Sequence, residues 1–289
     1  MNNSFWDLVN QSVSSAIGEH FRGRASHGPG GGCINASWLL EDRGLRYFVK
    51  TNQESLAEMF AVEAAGLRAI AETGTIRVPD PICHGSGGGR SWLVLEWLDL
   101  GHGQDWRAMG QSLARLHQCS AGATFGWEND NFIGATPQPN QPHDDWISFF
   151  GEQRLGFQIK LAHQKGGRVP AWSYLKEALP QLLDFPHQAP SLLHGDLWSG
   201  NAGFTKSGEP VIFDVAVYRG HGEADLAMTE LFGGFPREFY GGYEEISPID
   251  RGYAQRRTLY NLYHILNHYN LFGGSYLQQA NRMIDELLK

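Results

Sequence analysis

Cysteine is scarce in this chain, and the few cysteines present stand far apart. Cys33, Cys83 and Cys119 are odd in number and form no CxxC pair. A disulfide framework or a structural zinc site needs cysteines that are paired or closely patterned, so neither is predicted. Long apolar runs are also missing, and the first dozen residues lack the basic and apolar segments of a secretory signal. We therefore expect a cytoplasmic protein with no membrane partner.

An excess of positive charge is absent as well. The chain has 23 Lys and Arg against 31 Asp and Glu, a formal net charge of −8. Nucleic-acid binding relies on basic surfaces that neutralise phosphates, so no nucleic-acid partner is expected. Apolar residues make up 42% of the 289 residues, which is enough for a sizeable core. The composition therefore favours a soluble globular protein.

The secondary-structure pattern changes near residue 99. Before it, most segments read as strands around one main helix, which we place at 53–73; strands are predicted on both sides of Glu41–Gly44 and of Gly87–Gly89. After it, long helical patterns dominate, around 104–119, 144–165, 171–184, 224–232 and 250–288. We expect an α+β fold with a strand-rich N-terminal lobe over residues 1–98 and a mostly helical C-terminal lobe over residues 99–289.

The most informative segment is His194-Gly195-Asp196-Leu197-Trp198-Ser199-Gly200-Asn201, followed by the apolar run that ends at Asp214. It offers a carboxylate, an amide five residues later, and a second carboxylate. Phosphoryl transfer needs a base near the attacking hydroxyl and oxygen ligands for Mg²⁺, and protein kinases space these groups in the same way. An Asx-rich turn between strands is the plain structural alternative.

A second pair is Lys50 with Glu63. Lys50 is predicted to end the apolar strand Arg46–Val49, and Glu63 falls in the middle of the apolar stripe of the next helix. A carboxylate on a buried stripe is costly unless a cation pairs with it, so Lys50 is the expected partner. The alternative is a glutamate that reaches solvent at the edge of the stripe.

Together these residues resemble the fructosamine/ketosamine-3-kinase family within the protein-kinase-like superfamily. The similar segments run along nearly the whole chain; they are Gly30–Ile34, Phe48–Lys50, Asn131–Gly134, Thr136–Asn140, Phe149–Leu155, His194–Asn201, Glu223–Phe235 and Leu266–Gly273. The resemblance implies a two-lobed kinase fold. It also implies ATP-dependent phosphorylation of the 3-hydroxyl of a ketosamine, small or protein-bound, in deglycation or metabolite repair.

The resemblance implies a role for each matching residue. Asp196 would be the catalytic base, and Asn201 and Asp214 would hold Mg²⁺. Lys50, fixed by Glu63, would bind the nucleotide phosphates.

Further residues take supporting roles in the same comparison. The backbone of Glu96 and Leu98 would meet the adenine edge, and Gly30, Gly31 and Gly32 would approach the phosphates. Without the resemblance, the segment around Glu96 and Leu98 would be interpreted only as a buried strand, and the glycine-rich segment only as a turn.

Within the catalytic segment, His194 is expected to be structural. Asp225 is expected to brace the loop, although by itself it could be a first-turn helix carboxylate. Trp198 could stack on the sugar or simply pack. Cys33, beside the glycines, is either redox-active or an inert small residue.

Two other functions remain open from the sequence. One is a different small-molecule kinase of the same fold, acting on an aminoglycoside or on choline. The other is a non-catalytic pseudokinase, which usually lacks the lysine, the base or a metal ligand. All of these residues are present here, which disfavours that reading.

Overall fold

The structure, a computed structural model, describes residues 3–28, 34–119, 122–184 and 189–289. It divides into two compact units. The first comprises residues 1–104 with 204–213, and the second comprises residues 105–203 with 214–289. A short segment from the second half of the chain thus belongs to the first unit. No helix among the described residues is long and apolar enough to cross a membrane.

The first unit is a five-stranded antiparallel sheet with two helices. In chain order the elements are α1 Asn3–Ile17, β1 Arg24–His27, β2 Ala36–Asp42, β3 Leu45–Gln53, α2 Ala57–Glu72, β4 Pro81–Gly87 and β5 Arg90–Glu96. The strand order is β1-β2-β3-β5-β4. The turns of the two hairpins have positive φ at both central residues, Arg43-Gly44 and Gly88-Gly89, as tight two-residue connections require.

Side chains alternate between the two faces of this sheet. Val49, Trp92 and Val94 join the apolar core that α1 covers, together with Phe5 and Val9. Neighbouring residues in β3 and β5 therefore point to the opposite face. This alternation is what places Lys50 on the side away from the α1 core.

The second unit is mostly helical, with short strands. Its elements, with one strand that belongs to the first unit, are α3 Trp106–Gln118, β6 Asn131–Ile133, β7 Thr136–Gln138, α4 Trp146–Phe149, α5 Phe157–Gln164, α6 Trp172–Leu182, β8 Ser191–Leu193, β9 Ala202–Phe204, β10 Pro210–Ile212 (first unit), β11 Tyr218–Gly220, α7 Glu223–Leu231, α8 Arg237–Glu244, α9 Tyr253–Phe272 and α10 Tyr276–Leu287. Strand β6 pairs with β7, and β8 pairs with β11. Helix α9 contributes twelve buried residues, more than any other described helix.

Several sequence predictions need correction. The pattern over 250–288 is two helices, because Gly273 and Gly274 both take positive φ and end α9. The pattern over 144–165 contains a π-helical turn, Phe150–Gly156, between α4 and α5. Lys50 does not end its strand, since β3 continues to Gln53 with partners on both sides. Strand β1 and helix α8 were not predicted.

Helices α3 and α8 approach each other closely through glycines. A Cβ at Gly110 would lie 1.9 Å from the carbonyl oxygen of Phe239, and one at Gly242 would lie 2.1 Å from that of Arg107. Only glycine permits such a backbone approach. The adjacent Gly241 has open space around its Cβ position.

We expect Gly242→Ala to destabilise the protein by about 1–3 kcal/mol, because the added methyl group forces α3 and α8 apart. The matched control is Gly241→Ala, one residue away in the same helix. It should be neutral or stabilising by about 0.5–1 kcal/mol, because alanine favours helix. Urea unfolding of both variants measures the difference, and equal stability of the two would contradict this packing.

Candidate active site

Lys50 and Glu63 are brought together in the first unit. The Lys50 Nζ lies 2.5 Å from Glu63 Oε1, and the two side chains are 7% and 11% exposed. Lys50 stands opposite Leu93 in the sheet, and Glu63 reaches it from α2. Because breaking a buried pair leaves an uncompensated charge, each residue fixes the other in place.

Glu96 ends β5, and Leu98 lies two residues beyond it. The Glu96 N–H donates to the Asp80 carbonyl at 2.8 Å, and the Glu96 carboxylate binds Arg77 at 2.5 Å. The backbone N–H and the carboxylate of Glu96 therefore both have partners within the first unit. Leu98 is half-buried and outside any strand.

The glycine-rich segment is outside the described residues. This applies to Gly30, Gly31, Gly32 and Cys33. The predicted phosphate contacts and the predicted redox role of Cys33 stay predictions.

In the second unit, a buried carboxylate holds the segment that precedes Asp196. Asp225, in the first turn of α7, accepts hydrogen bonds from the backbone N–H groups of His194 (2.7 Å) and Gly195 (2.8 Å). His117 Nε2, from α3, lies 3.1 Å from the same carboxylate. Burial alone would raise the pKa of Asp225, but these bonds and the nearby histidines hold that pKa below its usual value.

Gly195 has a backbone conformation that demands glycine. Its φ is +84°, and a Cβ there would lie 2.0 Å from the Ala216 carbonyl oxygen. The chain crosses Ala216 closely because the Ala216 N–H donates to the His194 carbonyl at 2.8 Å. His194 in turn accepts the Asp196 N–H on its Nδ1 at 3.1 Å, so its contacts are those of a loop-forming residue.

Asp196, Asn201 and Asp214 gather at the end of this segment. The Asn201 amide donates to the Asp196 carbonyl at 2.9 Å and lies 3.4 Å from Asp196 Oδ2. Burial, followed by the negative charges of Asp214 and Asp225, raises the pKa of Asp196 to about 7. Asp214 is exposed and has φ +59°, an unusual conformation for a residue other than glycine.

Trp198 lies in the same loop, with 37% of its surface exposed. Its ring is edge-on to Phe232, with the centroids 6.3 Å apart. The indole therefore both packs against a neighbour and presents surface to solvent.

Sequence reasoning missed the groups that support this segment from outside. His117 contacts Asp225 and Tyr243, yet nothing in its local sequence marks it. Asn131 donates to the Val217 carbonyl, and Gln138 donates to the Ala216 carbonyl. Both lie in the family-like segments quoted above, which was the available clue.

The donor set beside Asp196 suits a magnesium ion. Asn201 turns its amide nitrogen to Asp196, which leaves its carbonyl oxygen for another partner, and Asp214 contributes a carboxylate. Mg²⁺ prefers oxygen ligands and is commonly held by one or two carboxylates together with substrate phosphates and water. No group of three or more His, Cys, Asp or Glu side chains arranged for a metal occurs among the described residues, and such a site does not require one.

Related sequences match this chain along nearly its whole length. A relative from Synechocystis sp., named probable ketoamine kinase, is 54% identical over 286 residues, covering 98% of this chain and 97% of its own. The chloroplastic protein-ribulosamine 3-kinase of Arabidopsis thaliana is 46% identical over 271 residues, covering 90% of this chain and 81% of its own.

Solved structures agree. A Haemophilus somnus protein assigned as a fructosamine-3-kinase has a TM-score of 0.91 at 30% identity, covering 98% of both chains. A choline kinase from Streptococcus pneumoniae has a TM-score of 0.62 at 14% identity over 99% of both chains, a likeness of fold alone. The predicted α+β, protein-kinase-like fold is thereby confirmed. The fructosamine kinase family model matches residues 5–289, and the chain belongs to that family.

Proposed function

We propose that this protein is an ATP-dependent kinase that phosphorylates the 3-hydroxyl of ketosamines. The observation that carries the proposal is the braced loop that presents Asp196 beside Asn201. It occurs in a chain 54% identical to a probable ketoamine kinase and 46% identical to a protein-ribulosamine 3-kinase. The cytoplasm, as expected from the sequence, is the proposed compartment.

Asp196 is the proposed base. Its carboxylate would accept the proton of the 3-hydroxyl as the hydroxyl oxygen bonds to the γ-phosphorus of ATP. The bond between that phosphorus and the β–γ bridging oxygen breaks, and ADP leaves. A pKa near 7 suits a group that takes up a proton and then releases it.

Asn201 and Asp214 would hold Mg²⁺. When bound, the ion would neutralise phosphate charge and offset the Asp214 charge that disfavours ionised Asp196. The hydrogen bond from Asn201 to the Asp196 backbone ties the proposed metal ligand to the proposed base. The two groups therefore keep a fixed spacing.

Lys50 is the proposed ligand of the nucleotide phosphates. Its ammonium is buried and held by Glu63, so little side-chain freedom is lost when a phosphate binds. The backbone of Glu96 and Leu98 is the proposed contact for adenine.

The sugar part of the substrate is assigned to the exposed surface of Trp198. An indole face suits the C–H surface of a sugar ring or chain, and this indole lies two residues after the proposed base. The names of the relatives favour a ketosamine over choline or an aminoglycoside, and no contact among the described residues favours those alternatives.

The first test is ADP release with Mg²⁺ and ATP on ribulose- and fructose-derived lysine adducts, beside choline and an aminoglycoside. We expect turnover of ketosamines only, followed by release of free lysine as the phosphorylated adduct breaks down. Asp196→Asn should lower kcat by about 100-fold or more, because a general base contributes about that much. Activity confined to choline or the aminoglycoside would overturn the substrate assignment. ATP turnover that persists in Asp196→Asn would overturn the assignment of the base.

Lys50→Met should lower kcat/KM for ATP by about 100-fold or more, because a preorganised cation on the phosphates is lost. The variant also leaves Glu63 buried without its cation, so its thermal stability should fall. Adding Glu63→Leu should restore stability but not activity. Glu58→Gln, on the exposed face of α2, is the control. Full ATP affinity in a stable Lys50 variant would contradict the role.

Trp198→Ala should raise KM for the ketosamine by about 3- to 10-fold with kcat little changed, because stacking contributes about 0.5–1.5 kcal/mol. Trp198→Phe should keep most of the affinity. Tyr174→Ala removes another exposed aromatic side chain, on α6, and should have no effect. If both Trp198 variants behave like wild type in KM and kcat, the residue only packs.

A further inference from the structure

A buried histidine that the proposed chemistry does not use lies beside Asp196. His264 is on α9, and its side chain is 5% exposed. Its Nδ1 atom lies 4.0 Å from Asp196 Oδ1. Among the residues that the structure describes, this Nδ1 is buried and has no hydrogen-bond partner. A buried nitrogen without a partner costs about 1–3 kcal/mol, so its retention next to a reactive carboxylate calls for an explanation.

The identity of the facing atom determines which form of the imidazole fits. Burial lowers the pKa of His264 to about 3, so the ring is neutral and carries one N–H. When Asp196 is ionised to act as the base, its carboxylate oxygens can only accept hydrogen bonds. A lone pair on Nδ1 would face that oxygen unfavourably, whereas an N–H on Nδ1 would face it favourably. The geometry therefore favours the tautomer with the proton on Nδ1.

The two oxygens of Asp196 have different neighbours. Oδ2 lies 3.4 Å from the Asn201 amide nitrogen, and Oδ1 faces His264. A donor on each oxygen would fix the plane of the carboxylate. The present distance to His264 exceeds a hydrogen bond by about 1 Å, which small torsions of the two side chains can close. Hydrogen bonds in unliganded active sites are often long and tighten when substrate binds.

We propose that His264 is a positioning residue of the reaction: its Nδ1–H donates to Asp196 Oδ1 and fixes the orientation of the carboxylate that receives the proton of the substrate hydroxyl. The inference rests on the proposed function of Asp196 as base. It assigns a role to a side chain outside the catalytic segment, about 70 residues further along the chain.

Amide substitutions separate this role from simple packing. The amide nitrogen of asparagine can take the place of His Nδ1, whereas that of glutamine takes the place of Nε2. We expect His264→Asn to keep kcat within about threefold of wild type. His264→Gln and His264→Leu should lower kcat by about 10- to 100-fold, because a misplaced reacting group has costs of that size. KM for ketosamine and for ATP should change little in all three variants, with the melting temperature recorded for each.

A double-mutant cycle tests whether His264 acts through Asp196. In an Asp196→Asn background, adding His264→Leu should cause no further loss of the residual activity. A loss as large as in the wild-type background would overturn the proposal. A loss that simply follows the melting temperature, with Asn and Gln equally impaired, would overturn it as well.

A measurement without turnover gives an independent readout. ¹⁵N-histidine NMR of the free protein, with the His264 resonances identified by their loss in His264→Asn, reports which ring nitrogen carries the proton. We expect the Nδ1–H tautomer at a pH well above the pKa of Asp196, where the carboxylate is ionised, and an Nε2–H tautomer under that condition would overturn the proposal. This result does not depend on which alcohol is the substrate. If wild type fails on every ketosamine, the proposed substrate is wrong, while the NMR result still decides the contact.

Discussion

The candidate site depends on one buried carboxylate that binds two consecutive backbone N–H groups. Asp225 accepts from His194 and Gly195, and so fixes the chain just before Asp196. Hydrogen bonds to a charged group contribute about 1.5–3 kcal/mol each, and a backbone donor left without an acceptor is costly. The unusual conformation of Gly195 persists because these bonds, together with the close contact to Ala216, determine it from both sides.

A second set of hydrogen bonds holds the segment that follows Asp214. Asn131 and Gln138 donate to the Val217 and Ala216 carbonyls. Both are linked to Arg154, a fully buried residue of the π-helical turn. Arg154 binds Asn140 at 2.6 Å, Asn140 donates to Asn131 at 3.0 Å, and Gln138 donates to the same Asn131 oxygen at 2.7 Å. The guanidinium also lies 4.0 Å from the centre of the Tyr218 ring. The family-like segments Asn131–Gly134 and Thr136–Asn140 therefore act by holding backbone, outside the segment that carries the proposed base.

These contacts explain which parts of the candidate site could be predicted from the sequence and which could not. Glu63 could be placed because a carboxylate in the middle of a helical apolar stripe needs a cation, and the hairpin at Arg43-Gly44 could be placed because turn residues mark it locally. His117, Arg154 and His264 could not be placed. The partners named for them are 14 to 126 residues away along the chain, and no local pattern encodes such distances. The π-helical turn could not be predicted either, because its sequence also suits an ordinary α-helix.

Helix α9 contacts the hydrogen-bonded network around Gln138 and also faces the proposed base Asp196. Tyr263 donates to Gln138 at 2.6 Å, and Asn267, one turn later, lies 3.4 Å from Gln158. His264, the neighbour of Tyr263, is turned toward Asp196. Consecutive residues of a helix point about 100° apart, so one buried helix can bind the supporting network on one side and face the proposed base on the other. The transfer chemistry needs few residues, whereas the position of those residues depends on contacts spread over the whole second unit. The match to the family model likewise covers residues 5–289, far beyond the catalytic segment.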